Sequence, residues 1–146
     1  MKGAHVVTPE RPPGQRQWKL RMLIDRPTIT ANEQRKMHWA QLRELQNDLK
    51  LITLLSAKQA NLPPLRLDKA SVELVYYPGN NRKMDADNIA PSLKPIIDCL
   101  VGYGVVPDDN SRHIVRASQS IVSRHEDSEY SKEPRLYVVI TDESEG

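Results

Sequence analysis

Cysteine, phenylalanine and long apolar runs are what this sequence has least of. Its single cysteine, Cys99, cannot form an internal disulfide, and no Cys/His zinc spacing is present, so we expect a reducing, cytoplasmic setting. No apolar run approaches the roughly 20 residues of a membrane span, and the start has no apolar segment of signal-peptide length. Aromatic residues are 5% of the chain, which argues against a base-stacking platform for single-stranded nucleic acid.

The chain length predicts one domain with one core. Its 146 residues suit a single unit. Residues 1–16 are polar and rich in Pro, and we expect a disordered arm there. The domain is predicted over 17–141, followed by a short tail over 142–146.

Charge is unevenly distributed along the chain, although the net charge is only +2. Residues 1–50 carry ten basic and five acidic side chains, whereas residues 123–146 carry three basic and seven acidic ones. A basic front half favours a polyanionic partner such as nucleic acid. A solvated surface without a partner explains the same pattern equally well.

Four segments with alternating apolar residues are predicted as strands. They are Gln17–Arg26, Ala70–Tyr77, Ile114–Val122 and Leu136–Thr141. The charged segment between the last two, Ser123–Pro134, is predicted to be a mobile loop.

A helix is predicted over 33–60, ending before a Pro-Pro pair. Thr30 with Glu33 has the spacing of a capping box, and Asn32 is an equally good N-cap. Apolar residues three or four apart form one stripe that we expect to face the core: Leu42, Leu45, Leu49, Ile52 and Leu55.

A second helix is predicted after Asn88, with an apolar face of Ile89, Leu93, Ile96, Ile97 and Leu100. Pro95 either kinks a helix that runs from Asn88, or lies in the first turn of a helix capped by Ser92. Gly102 or Gly104 ends it. These elements predict an α+β fold, a small mixed β-sheet with two main helices packed on it, in the order β-α-β-α-β-β.

The segment from Arg82 to Asp109 concentrates carboxylates around a short apolar helix. Asp85 and Asp87 are two residues apart, which places both carboxylates on one side of an extended segment. Asp108 and Asp109 approach them if the intervening helix folds back along the sheet. Magnesium prefers such hard oxygen ligands, and it can activate water and neutralise a phosphodiester. Lys94 could direct an ammonium group at the phosphate or leaving group.

Each of these residues also has a purely structural interpretation. Asp87 or Asn88 could only cap the helix, and Asp108 and Asp109 occur in ordinary turn composition. Lys94 and Asp98 could be a surface pair one helical turn apart. The spacing does not match a calcium-binding EF-hand loop, because the sixth position is not Gly and the twelfth is not Glu.

Three motifs resemble those of the RusA-type Holliday junction resolvases, a family found in phages and prophages. They are Asp85-x-Asp87-Asn88, Lys94-x-x-x-Asp98-x-Leu100 and Gly-Val-Val-Pro-Asp108-Asp109. Thr30–Trp39, with Asn32 before a basic helix start, also resembles the family's front end. The element order agrees over residues 17–141.

The resemblance implies a homodimeric, Mg²⁺-dependent crossover junction endodeoxyribonuclease that acts in DNA recombination and repair. Carried over by motif, the catalytic residues are Asp85, Asp87, Asp109 and Lys94. The three aspartates, with Asp108 beside them, are the implied metal ligands. The substrate is four-way junction DNA, which a symmetric dimer matches with two active sites.

Position alone suggests which residues contact DNA phosphates: Arg82, Lys83, Arg35, Lys36, Arg112 and Asn32. We expect no membrane contact and a location on DNA in the cytoplasm. Two other functions remain open, namely a non-catalytic basic nucleic-acid-binding module and a metal-dependent nucleotide phosphohydrolase.

Overall fold

The strands form one mixed sheet in a computed structural model that describes residues 6–7 and 15–144. The strands are β1 Val6–Val7, β2 Gln17–Arg21, β3 Ala70–Tyr77, β4 Ile114–Ile121 and β5 Arg135–Asp142. Four of them match the predicted strands. The predicted disordered arm, residues 1–16, lies largely outside the described residues. Strand β1 is the part of the arm that the structure describes as a strand, and it pairs with β2.

Strand β5 lies at the centre of the sheet, whose order is β1-β2-β5-β3-β4. It runs antiparallel to β2 and to β3, while β3 and β4 are parallel. Strand β2 was predicted to reach residue 26 but ends at Arg21. Since Arg21 pairs with Tyr137 and β5 begins at Arg135, β2 has almost no partner left beyond that point.

The helix predicted over 33–60 is interrupted, so that prediction was wrong across 35–38. Helix α1 spans Ala31–Gln34 and helix α2 spans Trp39–Gln59. Thr30 is the N-cap of α1, and its Oγ1 accepts the N–H of Glu33 at 3.2 Å. His38 has extended backbone and caps α2 through Nδ1, which accepts the N–H of Ala40 at 3.2 Å. The two caps define separate helix starts.

The buried face of α2 is rotated from the predicted leucine stripe. Leu49 is fully buried, but Leu55 is 46% exposed, so its assignment to the core was wrong. Thr53 and Ser56 are buried instead. Their hydroxyl groups donate to the carbonyl oxygens of Leu49 and Ile52 at 2.8 and 2.7 Å, which satisfies both groups inside the core. The other stripe members pack at the core margin: Leu42, Leu45 and Ile52.

Between β3 and β4 the chain forms a 3₁₀ helix, Ala86–Ser92, and helix α3, Leu93–Tyr103. Pro95 lies in the first turn of α3, where its missing N–H has no helical partner to lose. The alternative with a new helix start at Ser92 is therefore confirmed, but the Ser92 side chain does not cap the helix and bonds the backbone of Ile29 instead. Gly104 ends α3 with φ 98°, in the left-handed region.

The core lies between the helices and one face of the sheet, and it contains the predicted apolar face of the second helix. Its members include Ile89, Leu93, Ile96, Ile97 and Leu100, packed with Leu20, Val72, Leu74 and Val138. The predicted α+β fold, a mixed sheet with two main helices in the order β-α-β-α-β-β, is confirmed. No helix within the described residues has both the length and the apolar character needed to cross a bilayer.

Candidate active site

The acidic segment, residues 82–109, follows β3 and includes the 3₁₀ helix. Asp85 is the N-cap of this helix, and its Oδ1 accepts the N–H of Asp87 at 3.2 Å. Both aspartates are exposed. Asp87 lies in the first helical turn, where a negative charge is favoured. The capping role is therefore present, and it leaves the second oxygen of Asp85 and the carboxylate of Asp87 directed to a solvated surface.

Two side chains of the 3₁₀ helix fasten the acidic segment to the chain before α1. Asn88 Oδ1 accepts the N–H of Asn32 at 3.1 Å. Ser92 is fully buried, and its Oγ accepts from the N–H of Ile29 at 3.0 Å and donates to the carbonyl of Ile29 at 2.7 Å. The sequence analysis did not predict this attachment. Its only signal in the sequence is that Asn88 and Ser92 are polar residues four positions apart, next to the apolar residues Ile89 and Leu93.

Lys94 holds two carboxylates that are eleven residues apart. Its Nζ lies 3.3 Å from Oδ1 of Asp98 and 3.4 Å from Oδ2 of Asp109. The hydrogen bond to Asp98, and then that to Asp109, raises the pKa of Lys94. The same hydrogen bond from Lys94 holds the pKa of Asp109 below its usual value. Lys94 and Asp109 therefore both stay charged at neutral pH.

Asp98 is shared between two lysines. Lys50 of α2 approaches its Oδ2 at 3.9 Å, opposite the contact with Lys94. The predicted surface pair between Lys94 and Asp98 is thus part of a small charge network that joins α2, α3 and the turn before β4. Its members are solvent-accessible, so we assign it a role in orientation and not in stability.

Asp108 forms the turn that presents Asp109. Its Oδ1 accepts the N–H of Asp109 at 2.7 Å, and its Oδ2 accepts from Nδ2 of Asn110 at 3.3 Å. The turn interpretation of Asp108 is therefore present. Asp109 differs, since its carboxylate points to Lys94.

Asp85 and Asp109 line different concavities. Asp85 lines a cavity of about 700 Å³ together with Arg82, Lys83 and His125. Asp109 lines another of about 410 Å³ together with Lys94, Ala90 and Leu93. Among residues 6–7 and 15–144, no three His, Cys, Asp or Glu side chains lie close enough together to hold one metal ion.

Magnesium fits these residues in ligand chemistry, since the donors are exposed carboxylates, which are hard oxygen ligands. The position between Asp98 and Asp109 is taken by the ammonium group of Lys94. Gathering Asp85, Asp87 and Asp109 around one ion requires rearrangement of the acidic segment, and that part of the site stays a prediction.

The basic residues predicted to contact DNA lie on the surface in three places. Arg82 and Lys83 are exposed beside Asp85. Arg35 and Lys36 are exposed in the turn between α1 and α2, three residues beyond Asn32. Arg112 is exposed in the turn before β4, where its N–H donates to Oδ1 of Asn110.

A buried ion pair joins the loop predicted to be mobile, residues 123–134, to the first residue of β5. Arg135 Nη2 lies 2.7 Å from Oδ2 of Asp127, and both side chains are only 3% exposed. The loop also lines the cavity that contains Asp85, where the N–H of His125 donates to Oδ1 of Asn81 at 2.7 Å. It therefore forms one wall beside Asp85.

Comparisons with known proteins give no family assignment. No protein-family model matches the chain, and a search of curated proteins found no matching sequence.

Proposed function

We propose that the chain is a magnesium-dependent endonuclease that resolves four-way DNA junctions by paired phosphodiester cleavage, acting as a homodimer on DNA in the cytoplasm. The observation that carries the proposal is the contact of Lys94 with Asp109. It brings together a lysine of α3 and an aspartate of the turn before β4, two residues from separate motifs, on one exposed surface. Helix α3 continues directly from the 3₁₀ helix that Asp85 caps and that contains Asp87.

The residues would divide the chemistry as follows. Asp85, Asp87 and Asp109, with Asp108 beside them, would hold Mg²⁺. When bound, this ion would supply charge neutralisation at the phosphate and activation of a water molecule. Lys94 stays protonated, because Asp98 and Asp109 raise its pKa, so it would stabilise negative charge on the phosphate or leaving oxygen and would not act as a base.

Substrate positioning would depend on the exposed basic side chains. Arg82 and Lys83 lie beside Asp85, so a phosphodiester backbone that contacts them passes the candidate acids. Such contacts orient DNA without reading its sequence. Two copies related by a two-fold axis would present two such surfaces to the two strands that a junction requires to be cut.

A second candidate, a non-catalytic nucleic-acid-binding module, is favoured by one specific observation. Asp85 caps a helix and Asp108 forms a turn, so two of the four acids already have structural roles. In that case the basic surface would bind DNA and no cleavage would follow.

Incubation of the full chain with a labelled synthetic four-way junction in magnesium separates these functions. Linear duplex of the same sequence and free nucleotides serve as controls. The proposal predicts paired nicks near the branch point and little cleavage of the duplex. Binding without nicking would support the binding module, and hydrolysis of free nucleotides alone would support a nucleotide phosphohydrolase.

A further inference from the structure

Trp39 is a large apolar side chain that the fold leaves uncovered. It is the first residue of α2, and 68% of it is exposed. The chain's other tryptophan, Trp18, packs against the core. The indole of Trp39 therefore adds little to core packing and is accessible to another molecule.

Basic side chains flank this indole within four residues along the chain, and we call the group the Trp39 patch: Arg35, Lys36, His38, Trp39 and Arg43. The guanidinium of Arg43 lies 5.9 Å from the indole centroid, and the ring of His38 lies 5.6 Å away at an angle of 35°. Arg35, Lys36 and Arg43 form no ion pair with any residue in the described part of the chain. The patch thus combines a flat apolar surface with uncompensated positive charge.

This combination matches the chemistry of one unpaired nucleotide, which needs a single aromatic ring and not the several rings of a platform for single strands. A base offers a flat face that stacks on indole, and its neighbouring phosphates offer the negative charge that the cations lack. Fully paired duplex exposes its phosphates but keeps its base faces stacked inside the helix. Only DNA with unstacked bases can therefore stack a base on the indole and place phosphates beside the basic side chains.

The patch is fastened to the acidic segment. Asn32, three residues before Arg35, donates its N–H to Asn88, and Ile29 is held by Ser92 in the buried core. A strand bound at the patch is therefore held by the same part of the fold that presents Asp85 and Asp87.

We propose that the Trp39 patch binds an unpaired nucleobase of the DNA substrate, with the indole stacked on the base and the cations on the flanking phosphates. The inference rests on the proposed function for the identity of the substrate as DNA. It adds a reason for selectivity, because a branch point offers unstacked bases and a linear duplex does not.

The test uses the full chain in chelator, so that no cleavage occurs, and two probes of one sequence. One is a duplex with a single unpaired 2-aminopurine, and the other is the same duplex fully paired. Trp39→Ala should weaken binding of the first probe by about tenfold or more, the loss of one base-aromatic stack, and change binding of the second by about twofold or less. Trp39→Phe should retain most of the affinity, because it keeps an aromatic face.

Tyr130→Ala is the matched control, since Tyr130 is 69% exposed but lies in the acidic loop beside Asp127 and Glu129. It should leave both affinities unchanged. Equal affinity of Trp39→Ala and the parent for the unpaired probe would overturn the proposal. So would a loss of self-association in Trp39→Ala without DNA, measured by sedimentation, because the indole would then belong to an interface between copies.

Failure of this inference is distinguishable from failure of the proposed function. A protein that nicks junctions while Trp39→Ala binds both probes like the parent refutes only the stacking role. A protein that never nicks but loses the unpaired probe on Trp39→Ala refutes only the nuclease.

Discussion

Replacing Asp127 by Asn should destabilise the fold by about 3 kcal/mol, because it leaves the buried guanidinium of Arg135 without its ionic partner. The two groups are 2.7 Å apart and each is 3% exposed. Removing one partner of such a pair costs roughly 3–5 kcal/mol. We place the loss at the lower end, because Arg135 also donates to the carbonyl of Glu133 at 3.1 Å and lies 3.8 Å from the Glu129 carboxylate.

Urea unfolding followed by circular dichroism measures this loss directly. For a domain of this size, about 3 kcal/mol also lowers the Tm by roughly 6–12 °C. Glu129→Gln is the matched control, since Glu129 is exposed and its contact with Arg135 should contribute less than about 1 kcal/mol. If Asp127→Asn unfolds within about 0.5 kcal/mol of the parent, the pair does not anchor the loop.

The same pair predicts a pH dependence with a definite sign. The hydrogen bond from Arg135 lowers the pKa of Asp127 in the folded state. Its contribution is therefore fully present above the unfolded carboxyl pKa of about 3.9 and is lost as the pH falls through the lower folded pKa. The parent should lose stability below about pH 4 more steeply than Asp127→Asn. Parallel pH profiles for the two proteins would contradict this linkage.

Three further outcomes are expected. Leu49→Ala should lower the free energy of unfolding in urea by about 2–5 kcal/mol, because the side chain is fully buried. Leu55→Ala should lower it by no more than about 0.5 kcal/mol, and similar losses at both positions would contradict the rotated helix face. Charge reversal at Arg82 and Lys83 should weaken junction binding and reduce its salt dependence, measured by titration at several salt concentrations, and an unchanged salt slope would exclude phosphate contacts there. Lys94→Ala should slow cleavage while magnesium affinity, measured by calorimetry, stays nearly unchanged; lost ion binding would contradict its role toward the phosphate.

The sequence predicts the regular elements well where local pattern and tertiary packing agree. Strand β3 alternates between buried and partly buried residues over 70–74, and α3 has an apolar face that the core buries. The break at residues 35–38 was not predictable from helical propensity. His38 starts a new helix there, while bonds from Asn88 and Ser92, more than fifty residues away, hold the preceding chain.

Contacts between distant residues limit what the sequence reveals about the site. The contact of Lys94 with Asp98 follows from helical spacing, but that with Asp109 depends on how the chain turns at Gly104. Burial of Asp127 had no sequence signal either, because a charged residue in a polar loop is normally exposed.

The nicking rate of a four-way junction in magnesium, measured for Asp85→Asn, Asp87→Asn and Asp109→Asn beside the parent, tests the proposed function most directly. Asp48→Asn, an exposed aspartate on α2, is the control for removal of a surface charge. Each of the three variants should nick about a hundredfold more slowly or worse, because a hard anionic ligand is lost. Their junction affinity in chelator should stay level or rise, since a negative charge near the phosphates has been removed. If all three variants nick at the parent's rate, the aspartates serve only as caps and turns, and the chain is not the nuclease proposed.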